Sequence, residues 1–339
     1  MKVVTFGELM LRLSPPGFER LLQSPVLQAT FGGGEANVAV TLAQFGLESY
    51  YATRFPANAI GDAAVRMLRA EGVRTDFVVR GGDRMGIYFT ETGASQRAST
   101  VLYDRARSAI SEIPSGAIDW ERVMQGAAWF HFTGITPAIG ERAAAATRDA
   151  VRAAKQAGAR ISVDLNFRKK LWTEAQAQAA MRPLVQDVDL VIANEEDLQS
   201  VLGIQVEGAD VTGGALDVAG YRDAAARVSR ELGPSMVAIT LRESLSASDN
   251  GWSGVLWDNG TLHQSQRYVV RLVDRIGGGD SFAGGLIYAL VSGRAPEDAL
   301  RFAVAASALK QTIPGDFNRV TVAEVDALAK GDASGRVQR

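Results

Sequence analysis

An aspartate directly follows three consecutive glycines near the C-terminal end of the sequence, in the stretch Asp274-Arg275-Ile276-Gly277-Gly278-Gly279-Asp280. Glycine permits positive φ angles and a close approach of the backbone to a ligand. If a helix begins near Gly279, its first amide groups are unpaired and attract phosphate, together with the helix dipole. Asp280 would repel that phosphate, unless it accepts a proton from a hydroxyl during phosphoryl transfer. The alternative interpretation of Asp280 is an N-capping residue after a glycine turn.

A second glycine turn, Gly32-Gly33-Gly34, lies near the N-terminal end and leads into a predicted helix at Glu35–Gly46. Its spacing does not match the G-x-G-x-x-G turn of dinucleotide-binding proteins, and the sequence contains no G-x-x-x-x-G-K-S/T loop. A nicotinamide-dependent enzyme and a Walker-type nucleotide-binding protein are therefore disfavoured.

The elements between the two turns alternate between apolar strands of about five or six residues and amphipathic helices. This alternation predicts an α/β fold: a doubly wound, mostly parallel sheet with helices on both faces. Two segments break the rhythm with short β patterns and a hairpin, and predict a small β-sheet that acts as a lid beside a cleft. We assign residues 1–8, 31–83 and 108–330 to the main domain, 9–30 and 84–107 to the β lid, and 331–339 to a loose tail.

Polar residues follow several predicted strands at the edge where such folds bind ligands. Arg168 comes after the strand at 160–165, and its planar guanidinium suits a carboxylate. Asn194 and Asp197 follow the strand at 189–193 and could face one magnesium ion or its waters. The alternatives are a solvated basic turn for Arg168 and helix N-terminal acids that complement the dipole for Asp197. Taken together, these positions favour phosphoryl transfer over other reaction classes.

Composition excludes several other classes of protein. The 339 residues include no cysteine and only two histidines, which disfavours disulfides and a multi-histidine metal site. The formal net charge is −2 without a basic block, so we expect no nucleic-acid partner. No apolar run approaches the roughly 20 residues of a membrane span, and the N-terminus does not read as a signal peptide. We therefore expect a cytoplasmic protein without a membrane partner.

The two glycine turns carry a resemblance to a known family. Gly32-Gly33-Gly34-Glu35-Ala36-Asn37-Val38-Ala39 resembles the sugar-binding glycine signature of the ribokinase-like (PfkB) family of sugar kinases. Asp274–Phe282 resembles the D-T-x-G-A-G-D-x-F signature of the same family. The resemblance covers nearly the whole chain, and it implies an ATP-dependent kinase with a doubly wound α/β domain and a small β lid.

The resemblance also implies roles for individual residues. Asp280 would be the catalytic base, and the amides of Gly277, Gly278 and Gly279 would form the anion hole for the transferred phosphoryl group. The sugar site would contain Gly33, Gly34 and Asn37. The residues implied for the nucleotide are Asn194, Thr240, Arg242, Gly277 and Gly279, with Ser307 and Lys310 as further candidates.

Three departures from the family pattern affect the implied metal and nucleotide sites. Asp197 stands where the N-x-x-E motif has glutamate, so with Asn194 it would hold Mg²⁺ through water. Asp274 stands at a monovalent-cation position, implying potassium, but Arg275 replaces the usual threonine beside it. Arg242-Glu243-Ser244 does not continue the T-L-G-x-x-G nucleotide loop that Thr240-Leu241 begins.

Within the family, the chain most resembles the kinases of 2-keto-3-deoxygluconate, which phosphorylate the 6-hydroxyl. In these enzymes two tyrosines and two arginines contact the sugar acid, which implies that role for Tyr88, Tyr103, Arg105 and Arg168, with Asn166 beside them. Cross-strand packing is the alternative for the tyrosines, and a solvated charge for Arg105. Alternative functions are a kinase for a neutral sugar such as fructose or ribose, or for another deoxy sugar acid, and a non-catalytic binding protein. The resemblance further implies a homo-oligomer through the exposed face of the lid.

Overall fold

The computed structural model describes residues 1–206 and 218–332. Its strands in this part of the chain are β1 (Lys2–Phe6), β2 (Met10–Ser14), β3 (Gln28–Gly32), β4 (Glu48–Phe55), β5 (Val78–Arg80), β6 (Ile87–Glu91), β7 (Thr100–Asp104), β8 (Ala127–Thr133), β9 (Arg160–Asp164), β10 (Leu190–Ala193), β11 (Met236–Ser244), β12 (Asp249–Asp258), β13 (Thr261–Gln264) and β14 (Tyr268–Arg271). Its helices are α1 (Gly34–Gln44), α2 (Ala59–Ala70), α3 (Trp120–Met124), α4 (Ile135–Ala138), α5 (Glu141–Gln156), α6 (Glu174–Val185), α7 (Glu195–Leu202), α8 (Val218–Leu232), α9 (Gly278–Val291), α10 (Pro296–Lys310) and α11 (Val322–Ala329).

The large sheet has the strand order β13-β12-β11-β10-β9-β8-β1-β4-β5, and β14 also pairs with β12. The seven strands from β11 to β5 in this order run parallel, whereas β12, β13 and β14 pair in antiparallel fashion at one edge. Because the carboxyl ends of the parallel strands share one edge, the loops after β1, β8, β9 and β10 lie together.

Helices cover both faces of this sheet. One face packs against α5, α6, α7 and α8, through buried residues such as Val151, Met181 and Val228. The other face packs against α1, α9 and α10, through residues such as Val38 and Phe282. Side chains of minimal size let α9 approach its neighbours, since a methyl group on Gly284 would lie only 2.7 Å from Thr41. The predicted doubly wound fold is confirmed.

A separate four-stranded sheet has the order β3-β2-β6-β7. The β6–β7 hairpin and the β2–β3 pair are antiparallel, and β2 joins β6 in parallel register, with Arg12 opposite Tyr88. These four strands come from the two segments assigned to the lid, although β3 continues to Gly32. The smaller sheet that the sequence predicts is therefore present.

The short strands β5 and β13 were not predicted. β5 has only three residues, and the four residues of β13 include one apolar residue, Leu262, so neither shows a recognisable strand pattern. The predicted helix at 217–232 matches α8 from Val218 onward. Residue 217 and most of the predicted loose tail, residues 333–339, lie outside the described residues. No helix in the described ranges is both long and apolar enough to cross a membrane.

Candidate active site

The two glycine turns meet at Asp280, which lies in the first turn of α9. The amide Nδ2 of Asn37, on α1, donates a hydrogen bond of 2.6 Å to Oδ2 of Asp280. A methyl group placed on Gly34 would lie 3.6 Å from Oδ1 of the same carboxylate. Segments some 240 residues apart in the chain therefore form one site, with Asp280 between them.

The environment of Asp280 favours its protonated form. Burial raises the pKa of its carboxyl to about 7, and the negative charges of Asp316 and Glu35 act in the same direction. The hydrogen bond from Asn37 and the positive charge of Arg168 lower the pKa and limit the rise. A carboxyl group whose pKa is near neutrality can accept and release a proton at physiological pH.

Two glycines in these turns are required by geometry. Gly277 caps α9 with a φ of 82°, and a methyl group there would lie 2.0 Å from the carbonyl oxygen of Asp316. A methyl group on Gly33 would lie 2.0 Å from the carbonyl oxygen of Glu8, so this turn packs directly on the loop after β1. Gly278 packs beside Gln311, whereas Gly279 faces open space, with no atom within 4 Å of an added methyl group. The turn before α9 is therefore packed on one side and open on the other.

A second group of carboxylates lies after β9 and β10. Asp164 is buried, and its pKa is raised well above the usual value by burial and by the charges of Asp197 and Asp280. Burial likewise raises the pKa of Asp197 to about 6, although amide donors oppose the rise. Arg168 is exposed and its charge lowers the pKa of all three carboxyl groups. Asn166 lies between Asp164 and Arg168 in the chain and turns the backbone there with a φ of 40°. The charges of Asp197 and Asp280 disfavour ionisation of Asp164, and the positive charge of Arg168 offsets this repulsion only in part.

Asn194 and Asp197 form a capping box at the start of α7. Oδ1 of Asn194 accepts from the Asp197 amide at 2.8 Å, and Oδ2 of Asp197 accepts from the Asn194 amide at 3.3 Å. Oδ1 of Asp197 also accepts from the Phe167 amide at 2.8 Å. Asp197 is thus in the first turn of α7, as the alternative interpretation also expected, and its charge acts on the carboxyl group of Asp164.

The small sheet brings Tyr88 and Tyr103 to the site, but in different environments. They stand opposite each other on β6 and β7, with ring centroids 6.0 Å apart. Tyr88 is 3% exposed and its hydroxyl lies 2.7 Å from both carboxylate oxygens of Asp316. Tyr103 is 40% exposed. Only Tyr103 therefore presents substantial free surface.

Arg105 differs from the expectation of a cation directed at the sugar. Its guanidinium is buried, Nε donates to Oε2 of Glu8 at 2.8 Å, and the group lies over the Tyr103 ring. Arg168 has no carboxylate within salt-bridge distance among the described residues and bonds only weakly to the Phe167 carbonyl, at 3.4 Å. Of the two arginines, only Arg168 is therefore available to pair with a substrate carboxylate.

Ser307 and Lys310, candidates for nucleotide contact, are both fully buried on α10. The hydroxyl of Ser307 donates to the Gly278 carbonyl at 2.7 Å, and the ammonium of Lys310 donates to the carbonyls of Asp274, at 3.1 Å, and Ile276. Neither side chain has exposed surface with which to contact a nucleotide, so both instead support the glycine turn.

Arg242 and Arg275 lie near each other, since the charge of Arg242, together with burial, lowers the pKa of Arg275. Arg242 follows Thr240 on β11, and the Thr240 hydroxyl lies 3.4 Å from the Ala193 carbonyl. Neither guanidinium has a hydrogen-bond or salt-bridge partner within the described part of the chain. Two adjacent unpaired arginines beside the glycine turn form a place where an anion is favoured.

Several residues of the site were not predicted from the sequence. Arg12, on β2, is 4% exposed and bonds with Asp316 and Asp274, at 2.6 Å each. Glu8 fixes Arg105, and Glu35 is buried against the hydroxyl and amide of Thr133. The one available signal was a charged residue inside an apolar β pattern, as in Met10-Leu11-Arg12-Leu13.

Comparison with known proteins agrees with this geometry. The family model described as pfkB family carbohydrate kinase matches residues 1–319. A crystal structure of 2-dehydro-3-deoxygluconokinase from Thermotoga maritima is 51% identical and superposes with a TM-score of 0.94, covering 98% of this chain and 100% of that one.

Two curated relatives span nearly the full length as well. The 2-dehydro-3-deoxygalactonokinase of Haloferax volcanii is 33% identical over 336 residues, with 98% of each chain covered. The 2-dehydro-3-deoxygluconokinase of Bacillus subtilis is 28% identical over 326 residues, covering 96% of this chain and 94% of the relative. With a family model that matches from residue 1 to 319 and a meeting of both glycine turns at Asp280, the chain belongs to the pfkB family of carbohydrate kinases.

Proposed function

We propose that this kinase transfers the γ-phosphoryl group of ATP to the 6-hydroxyl of 2-dehydro-3-deoxygluconate, also called 2-keto-3-deoxygluconate. One observation carries the proposal: a carboxylate with a pKa of about 7 stands at the start of a helix and is held by Asn37 from the other glycine turn. This arrangement puts a proton acceptor beside a set of backbone amides that suits a phosphoryl group.

In the proposed reaction, Asp280 accepts the proton of the sugar hydroxyl as that oxygen attacks the γ-phosphorus of ATP. The bond from the hydroxyl oxygen to phosphorus forms, and the bond from phosphorus to the bridging oxygen of ADP breaks. Amides of the turn at Gly277–Gly279 stabilise the negative charge on the transferred group. The hydrogen bond from Asn37 keeps the carboxylate in one orientation before the proton is transferred.

The carboxylates after β9 and β10 fit a magnesium ion. Mg²⁺ in kinases is usually held by one or two carboxylates, waters and the phosphates of the nucleotide. Asp197 and Asp164 offer such carboxylates. Burial raises the pKa of both, and the charge of Asp197 adds to the rise at Asp164, so a bound cation would favour their ionised forms. When bound, Mg²⁺ would neutralise charge on the nucleotide phosphates; Asn194 orients Asp197 for this role.

Arg168 is the side chain that we propose for the carboxylate of the sugar acid, because its guanidinium is exposed and unpaired. Arg105 contributes indirectly, since its pairing with Glu8 holds its guanidinium against the face of the Tyr103 ring. Tyr103 and Asn166 would then contact the sugar from the small sheet and the main domain. Arg242 and Arg275 are proposed to face the nucleotide phosphates from the opposite side of the turn.

The small sheet is proposed to act as a lid over this site. Its hairpin tip already reaches the β11–β12 turn, where the Ala247 amide donates to the Ser95 carbonyl at 2.8 Å and the Ser95 amide donates to the Ser248 hydroxyl at 2.9 Å. The outer strand β7 leaves Leu102 and Tyr103 exposed. We predict that a homo-oligomer forms through this surface. The division into domains and the cytoplasmic location also remain predictions.

A second substrate is favoured by one comparison. The Haloferax volcanii relative is a 2-dehydro-3-deoxygalactonokinase, and the galactonate and gluconate acids differ only in configuration at one carbon. Both carry the carboxylate that Arg168 would bind.

The deciding experiment measures kcat/KM for both acids and for fructose and ribose, with MgATP. The proposal expects phosphorylation of at least one acid, at the 6-hydroxyl, well above either neutral sugar; preference for a neutral sugar would contradict it.

A further inference from the structure

The glycine turn before α9 is held from beneath by a lysine that has no acidic partner. Lys310 is 0% exposed, and its ammonium bonds with the main-chain carbonyls of Asp274, at 3.1 Å, and Ile276. No carboxylate oxygen lies within 4.0 Å of this nitrogen in the described residues. A buried ammonium is normally paired with a carboxylate, so its placement on carbonyl oxygens alone requires an explanation.

These carbonyls set the direction of the amides that follow them. In a planar trans peptide, the carbonyl of one residue and the N–H of the next point in opposite directions, and the described residues contain no cis peptide. The Ile276 carbonyl points to Lys310, so the Gly277 amide points away from α10. The Gly278 carbonyl points to Ser307, so the Gly279 amide points away as well. Both amides are among those proposed to bind the transferred phosphoryl group.

The carboxylate of Asp274, the position at which the family resemblance implied potassium, is also occupied. Its Oδ2 accepts from Nη2 of Arg12 at 2.6 Å and from the Gly315 amide at 3.0 Å. Its Oδ1 accepts from the Ile276 amide at 3.1 Å. The carboxylate of Asp274 is thus bonded to Arg12 and to two backbone amides, while the main-chain carbonyls of Asp274 and Ile276 are bonded to Lys310. The residues therefore do not fit a potassium ion.

We propose that the Lys310 ammonium is a built-in cation that positions the glycine turn, so that this enzyme works without a monovalent cation. Arg12 performs the matching role on the carboxylate of Asp274. Burial lowers the pKa of Lys310, and the charge of Arg12 acts in the same direction; the negative charges of Asp274, Asp316 and Asp280 oppose this shift. Lys310 is 0% exposed and has no surface with which to contact a substrate or nucleotide, so it is a positioning residue. The proposal rests on the proposed kinase function.

The first experiment compares wild-type activity in tetramethylammonium chloride and in potassium chloride at equal ionic strength. Because the cation position is filled by the protein, we expect the same kcat in both salts. A clear activation of the wild-type enzyme by potassium would overturn the proposal. If no sugar acid is turned over in either salt, the proposed substrate fails instead; the same salts are then compared on whichever sugar of the panel is phosphorylated.

The second experiment uses Lys310→Met, which keeps the length of the side chain but removes its charge and donors. In tetramethylammonium chloride, we expect kcat to fall about 100-fold, as when one oxyanion donor is misplaced, while the KM for the sugar changes little. Potassium or ammonium ions should restore a large part of kcat, because they can enter the vacated position. Retention of wild-type kcat, or a loss that no small cation rescues, would contradict the proposal.

A thermal unfolding measurement gives a readout that needs no turnover. Potassium should raise the Tm of Lys310→Met relative to tetramethylammonium, since a ligand that binds only the folded state stabilises it. The same exchange should not change the Tm of the wild type or of Lys155→Met, which alters an exposed lysine on α5. If Lys310→Met does not fold, the wild-type salt comparison decides alone.

Discussion

The two glycine turns of this enzyme look alike in sequence but serve the site in different ways. The turn at Gly32–Gly34 follows an extended strand, and Gly33 is required because the chain packs against the Glu8 carbonyl. This turn places the side chain of Asn37, which lies three residues after the start of α1, in the site. The turn at Gly277–Gly279 has a left-handed residue, φ 82°, and an open side at Gly279. It delivers backbone amides together with Asp280. Similar glycine patterns thus place a side-chain donor in one case and, in the proposed mechanism, a main-chain anion site in the other.

The largest effect is expected where the two turns meet. Asp280→Asn keeps the shape of the side chain but removes the proton acceptor, so kcat should fall about 10²- to 10⁴-fold. Calorimetry should show sugar binding close to that of the wild type, because the amide can still contact Asn37. Turnover near the wild-type rate would remove Asp280 from the mechanism.

Two matched substitutions in the C-terminal turn should separate its packing from its function. Gly277→Ala places a methyl group 2.0 Å from the Asp316 carbonyl at positive φ, so the free energy of unfolding should fall by roughly 2 kcal/mol or more. Gly279→Ala meets no atom within 4 Å, so stability should be kept while kcat falls, since the methyl group enters the space for the phosphoryl group. Urea unfolding and steady-state kinetics measure the two quantities. Equal stability of the two variants would contradict the assigned packing.

A smaller effect is expected on sugar binding outside both turns. Arg168→Ala removes one charge-assisted contact with the substrate carboxylate, so KM for the sugar acid should rise about 10- to 100-fold. Lys170→Ala is the control, because Lys170 is exposed on the same loop. Kinetics with a sugar acid, and with a neutral sugar where turnover is measurable, check this. An unchanged KM for the acid would mean that its carboxylate binds elsewhere.

Local sequence predicted the parts of the site that depend on local rules. Apolar strands, helix starts and glycine turns have short-range causes, which is why the turn at Gly277 and the helix after it were expected at nearly the right residues. Ion pairs were not predictable in this way. Arg12 bonds with Asp316, 304 positions away, and Arg105 with Glu8, 97 positions away. Only the tertiary arrangement determines which cation meets which carboxylate, and hence that Arg168 is left free and Lys310 is buried.

The pH dependence of kcat/KM for the sugar, in the wild type and in Asn37→Ala, tests most directly whether the two turns together set the proton acceptor. Asp280 must be ionised to accept a proton, so activity should fall below an apparent pKa of about 7 in the wild type. Loss of the Asn37 donor destabilises the ionised carboxylate, so the acidic limb of the pH profile should move to higher pH. A limb that lies near the ordinary aspartate value of about 4, or one that Asn37→Ala leaves in place, would contradict the account.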